Sequence, residues 1–114
     1  MKKSKAMGST DKFEKALKDS GDQRYVLRLY VKGQTPNSRR AMKNAEKICR
    51  EYLQGRYELE IIDLNEHPER AKQDDIFAVP SLIRELPGPL RKLIGDLSDT
   101  SGVLIGLGLV PQAS

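Results

Sequence analysis

The sequence predicts a single α/β domain organised around a strand–helix–strand unit with two parallel strands. Three observations carry this reading. Tyr25–Val31 is a run of β-branched, aromatic and aliphatic side chains interrupted only by Arg28. Residues 35–55 then space their apolar positions at helical intervals between a start signal and a stop signal. Residues 57–64 return to strand spacing, with Tyr57, Leu59 and Ile61 alternating with Glu58 and Glu60. Two strands joined through a helix of this length run parallel, with a right-handed crossover.

Each element has a local cause. In the helix, Thr35 is a good N-cap, and Pro36 suits the first helical position because its missing N–H has no partner to lose there. Ala41, Ala45, Ile48, Cys49 and Tyr52 follow on one face, and Gly55 ends the segment. His67-Pro68 opens a short polar helical stretch running to about Asp74. Val79 to Ile83 reads as a third strand, and Leu86-Pro87-Gly88-Pro89 as a loop. Beyond that the local signals conflict. Residues 91–96 suit a strand or a helical turn. Ser98 and Asp99 signal a helix start, yet Val103 to Val110 favours β-structure, and Gly106 and Gly108 weaken any helix. At the other end, residues 1–10 are polar and Lys-rich. Residues 11–20 carry a weak helical stripe of Phe13, Ala16 and Leu17, and Gly21-Asp22 breaks it. The expected organisation is an N-terminal arm over residues 1–22, a domain over 23–110 and a tail over 111–114.

Composition narrows the function. The 114 residues carry a net charge of +4. The arm has six lysines against four acidic residues, and the remainder has fourteen basic against twelve acidic, so the body is nearly balanced. With no Trp and 5% aromatics there is little to stack on bases, so nucleic acid is not an expected partner. No apolar run reaches membrane-span length, and the basic N-terminus lacks the apolar stretch of a signal peptide, so no membrane association and a cytoplasmic location are expected. A single cysteine, Cys49, cannot form an internal disulfide.

The order strand, helix, strand, short helix, strand resembles the start of a thioredoxin-like domain. In that fold a Cys-x-x-Cys pair would sit between the first strand and first helix. Here the stretch is Gln34-Thr35-Pro36-Asn37, without the thiol that disulfide exchange requires. Fold analogy also makes Pro80, at the start of the third strand, a candidate cis proline. Cys49, on the apolar helix face, reads as a small core residue. His67 has no cysteine or histidine partners, so no metal is expected. Arg39, Lys43, Lys47 and Arg50 make a basic stripe interleaved with Glu46 and Glu51, and read as a solvated face. Arg84, Arg91 and Lys92 form a second basic group. There is no Walker-type phosphate loop. No catalytic residue and no cofactor are expected.

Further motifs narrow the family. Tyr25–Val31 followed by Gly33-Gln34-Thr35-Pro36-Asn37-Ser38, then Gly55-Arg56-Tyr57, Val79-Pro80-Ser81-Leu82, Leu93-Ile94-Gly95-Asp96-Leu97-Ser98 and Val103-Leu104-Ile105-Gly106-Leu107, resembles the KaiB family of circadian clock proteins over about residues 24–109. The resemblance implies a non-enzymatic regulator that docks on a KaiC-like ATPase. It also implies two folds. The first choice is a thioredoxin-like β-α-β-α-β-β-α domain, and the alternative is the family's ground-state fold. The two differ from roughly Asp74 onward, and the unbound protein forms a homotetramer or dimer. By the same resemblance Arg40, Arg84, Arg91 and Lys92 are partner-binding, and Pro80, Gly106 and Gly108 belong to the fold switch. Asp75 stands where cyanobacterial relatives carry Lys, and Gly108 where they carry Asp. The arm is extra, which points to a divergent branch with a circadian or stress-timing role. The rival reading is a thioredoxin-like adaptor for an unrelated signalling protein such as a sensor kinase.

Overall fold

The computed structural model describes residues 23–109. The arm, the tail and Val110 lie outside the described residues. The element order is β1 (Tyr25–Val31), α1 (Pro36–Tyr52), β2 (Tyr57–Asp63), α2 (Glu69–Gln73), β3 (Ser81–Leu86), β4 (Arg91–Ile94) and α3 (Thr100–Leu107). The strands form one sheet in the order β2-β1-β3-β4. β1 pairs in parallel with β2 and antiparallel with β3, and β3 pairs antiparallel with β4. This is the β-α-β-α-β-β-α order expected. β3 covers Ser81–Leu86, so the strand expected over Val79 to Ile83 starts two residues later, after the cis Val79-Pro80 bond, and takes in Leu86, which the sequence assigns to the loop. The conflicted region resolves into a strand and then a helix.

β1 is central because its side chains are apolar on both faces. Tyr25, Leu27, Leu29 and Val31 join α1 and α3 in the main core, while Tyr30 packs with Ile62, Ile76 and Ile83 on the opposite face. α1 begins as its sequence demands. Thr35 Oγ1 accepts from the Ser38 N–H at 3.2 Å, and the buried Ser38 hydroxyl oxygen accepts from Lys32 N–H at 3.1 Å. Its inward residues are Ser38, Ala41, Ala45, Ile48 and Cys49. The basic stripe of Arg39, Lys43, Lys47 and Arg50 is exposed throughout.

α2 is short and is held by a polar cluster more than by apolar burial. The Tyr30 hydroxyl donates to the Asp74 carboxylate, and Arg28 Nε donates to the Tyr30 oxygen at 3.1 Å. Arg70 reaches Asp74 at 3.4 Å and Glu60 at 3.9 Å. The hydrogen bond from Tyr30 is the main reason the Asp74 carboxyl sits below its usual range. A depressed folded-state pKa gives stability that is present above the ordinary carboxylate value of about 3.9 and lost as pH falls through the folded value. Asp74→Asn is therefore expected to flatten the acid limb of a stability-versus-pH curve below about pH 4. Urea unfolding at several pH values checks this, and an unchanged acid limb would contradict it.

Candidate functional site

Four basic residues were expected to form a partner site, and the structure places them at separate points on the β4 side of the sheet. Arg40, on the second turn of α1, is exposed. Its Nε contacts Asp96 at 3.0 Å, and its guanidinium also donates to Asn37 Oδ1. Hydrogen bonds from Ser98, supplemented by Arg40, hold the Asp96 carboxyl below its usual range. Arg40 thus ties α1 to the loop between β4 and α3. Arg91 and Lys92 alternate along the outer strand and point to opposite faces. Arg91, opposite Arg84, is exposed. Lys92, opposite Ile83, donates from Nζ to the Asp75 carbonyl at 2.6 Å and lies 5.6 Å from the ring centroid of Phe77. Phe77 is 90% exposed, so this pair presents an amphipathic surface.

Arg84 differs from the other three. It is 7% exposed, and its guanidinium faces inward. Nη1 donates to the Leu107 carbonyl at 2.9 Å and Nη2 to the Pro89 carbonyl at 2.8 Å. Among the described residues no carboxylate pairs with it, and Nε has no partner. Burial, with Arg91 nearby, lowers its pKa from the usual arginine value. Leu107 is the last residue of α3, whose carbonyl lacks an intrahelical partner, so a cation there is favourable. The Tyr25 hydroxyl donates to the same carbonyl at 3.3 Å.

The three expected switch residues sit at different points: Gly108 beside Arg84, Gly106 against Leu93, and Pro80 at the start of β3. Pro80 is buried and follows a cis Val79-Pro80 bond beside the Thr35-Pro36 start of α1. Gly106 lets α3 approach β4, since a Cβ there would overlap Leu93 Cδ2 and lie 3.2 Å from Cδ1. Gly108 sits at φ +78° and stops the helix. Its N–H donates to the Ile105 carbonyl at 3.0 Å, and the Leu109 N–H donates to the Leu104 carbonyl at 2.8 Å, the pattern of a Schellman motif.

Some contributors had no readable sequence signal. Tyr25 is separated from Leu107 by 82 positions, and Asp96 from Arg40 by 56. Phe77 lies in the apolar run Ile76-Phe77-Ala78-Val79, which reads as core, so its exposure was not visible in the sequence either. Where thioredoxin-like oxidoreductases carry their thiol pair, this chain has Thr35, Pro36 and Asn37 beside Val79 and Lys32. Cys49 is buried in the core, and that burial, with Glu46 close by, pushes its thiol up to about 11.

The sheet order, the helices on both faces and the cis proline define a thioredoxin-like domain whose helix-start loop carries no cysteine pair. Solved structures agree on the fold. The N-terminal domain of Synechococcus elongatus SasA superposes with TM-score 0.63 at 23% identity, covering 81% of this chain and 89% of that one. Mitochondrial thioredoxin 3 from Saccharomyces cerevisiae gives TM-score 0.62 at 16% identity, covering 85% and 90%. The KaiB domain model matches residues 28–109. The circadian clock oscillator protein KaiB of Microcystis aeruginosa is 54% identical over 86 residues, 75% of this chain and 83% of that protein. The clock protein KaiB3 of Synechocystis is 47% identical over 89 residues, 78% and 87% respectively. This chain belongs to the KaiB family.

Two changes check the α3 anchor. Arg84→Lys removes the two-armed contact with Leu107 and Pro89, and is expected to cost about 1–3 kcal/mol in chemical denaturation. Gly108→Ala places a Cβ at positive φ and is expected to cost about 1–2 kcal/mol. Wild-type midpoints in both variants would show that the helix end is held by something else.

Proposed function

We propose that this protein is a non-enzymatic clock regulator of the cytosol that docks on a KaiC-like ATPase and so controls its phosphorylation or signalling state in circadian or stress timing. Membership of the KaiB family over residues 28–109 carries this reading. Arg40, Arg91 and Lys92 make the docking contacts from the β4 side, with Phe77 supplying apolar area beside Lys92. Arg84 acts from behind them, fixing α3 and the proline loop that precedes Arg91.

Within the same reading, the segment from about Asp74 onward exchanges between two packings, with Pro80, Gly106 and Gly108 among the positions that set the balance. The low intrinsic helix preference of α3 supports this. It contains Gly102, Val103, Ile105 and Gly106 and has no charged residue within its span.

The test is size-exclusion chromatography with light scattering, using the full chain with a purified KaiC-like ATPase and ATP. A large complex is expected, and Arg91→Ala with Lys92→Ala is expected to weaken it by about tenfold or more, equivalent to about 1.4 kcal/mol. If the proteins elute separately after prolonged incubation at micromolar concentration, the docking assignment fails. Capture by a sensor kinase in the same assay would favour the adaptor reading instead.

A further inference from the structure

The outward face of α1 takes no part in the core. The buried residues of this helix, Ser38, Ala41, Ala45, Ile48 and Cys49, lie on its other side. Every exposed residue from 39 to 51 is charged, five basic against two acidic. Arg39, Lys43, Lys47 and Arg50 follow one another at steps of four, four and three. At 3.6 residues per turn they fall within an arc of about 80° and form one ridge about 16 Å long.

The ridge works against its own helix. Arg39 with Lys43, and Lys43 with Lys47, are like charges four positions apart, which is an unfavourable spacing. Arg39 closes the first turn, where the helix dipole is positive and no acidic residue offsets it. Glu46, four positions before Arg50, and Glu51, four after Lys47, offset the charge only toward the C-terminal half. Among the described residues none of the four ridge cations is in an ion pair, and the pairs there are made by Arg28, Arg40, His67 and Arg70. The stability of α1 therefore does not account for the arrangement.

We propose that this ridge is a docking surface for an acidic helix of a protein partner, lying antiparallel along α1 with its carboxylates facing Arg39, Lys43, Lys47 and Arg50. Three observations select this occupant. The first is spacing. Four-residue steps place the cations about 6 Å apart along the axis, which a helix with acidic residues at the same intervals matches side by side. Alternate residues of a strand lie about 6.6 Å apart and drift by about 3 Å over the ridge. The second is the margins. Glu46 and Glu51 border the ridge on either side. They repel a uniformly negative phosphodiester chain or bilayer, whereas a protein helix can set basic side chains against them. The third is that no apolar side chain is exposed between 39 and 51. Bases have nothing there to stack on and a bilayer has nothing to take up, so recognition is by charge. The antiparallel direction brings the negative end of the partner's helix dipole to the Arg39 end of α1.

The ridge stands apart from the proposed ATPase contacts. Lys92 is opposite Ile83, which belongs to the core on the sheet face away from α1. Arg40 alone of those contacts lies on α1, and it is engaged by Asp96.

The test is a titration of the isotope-labelled full chain, followed by its amide shifts, with two synthetic helical peptides of one composition. One carries glutamates at the four-four-three spacing, with lysines beside them to face Glu46 and Glu51. The other has the same residues in scrambled order. The expected result is shifts confined to residues 39–51 and affinity for the patterned peptide about fivefold or more above the scrambled one. That affinity is expected to fall about tenfold between about 25 and about 200 mM salt. Lys43→Glu with Lys47→Glu is expected to weaken the patterned peptide by about tenfold or more while leaving the rest of the spectrum in place. Equal affinity for the two peptides, or shifts centred on Phe77, Arg91 and Lys92, overturns the proposal. So does tighter binding at the ridge of a single-stranded oligonucleotide or of phosphatidylglycerol vesicles, because the surface would then recognise any polyanion. The titration uses no ATPase, so its outcome is independent of the docking reading.

Discussion

Arg84 ties the carbonyl end of α3 to the sheet, and much of the C-terminal half depends on that contact. α3 has weak reasons of its own to be helical. Two of its eight residues are glycine, two are β-branched aliphatics, and its single side-chain cap comes from Asp99, which accepts from the Gly102 N–H at 3.2 Å. Tertiary contacts supply the rest. Val103, Leu104 and Leu107 are buried, Gly106 permits close approach to Leu93, and Arg84 with Tyr25 satisfies the terminal carbonyl of Leu107. Leu97, buried at φ +64° just before the helix, is a further position where tertiary packing overrides local preference.

The N-terminal half is built differently. β1 is hydrogen-bonded on both edges and contributes apolar side chains to both faces. α1 has a side-chain N-cap, a proline in its first turn and a continuous buried stripe. Local preference and global packing agree there, which is the condition for a single well-defined arrangement. In the C-terminal half they disagree, and the disagreement falls in the segment where the resemblance to clock proteins had placed an alternative packing.

That asymmetry also explains what could be read from the residues alone. β1, α1 and β2 were legible because composition, periodicity and end signals coincide in each. β4 and α3 were not, since the residues that decide them sit far away in sequence, as Arg84 does from Leu107 and Arg40 from Asp96. The basic residues of the candidate site were visible as charges, but their roles were not. Sequence spacing alone could not distinguish Arg91, which is exposed, from Arg84, which is turned inward against two carbonyls. The missing thiol pair was legible at once, because it is a matter of residue identity at one loop.

The most direct check on this account is native-state hydrogen exchange, read residue by residue across increasing denaturant. If α3 is held by tertiary contacts while the β1–α1–β2 unit is also locally supported, the amides of Leu104, Leu107 and Gly108 open at a lower free energy than those of Leu27 and Leu29. The β4 amides would open with them. Exchange of α3 and β1 at one common free energy would contradict the account, because the C-terminal helix would then be as secure as the central strand.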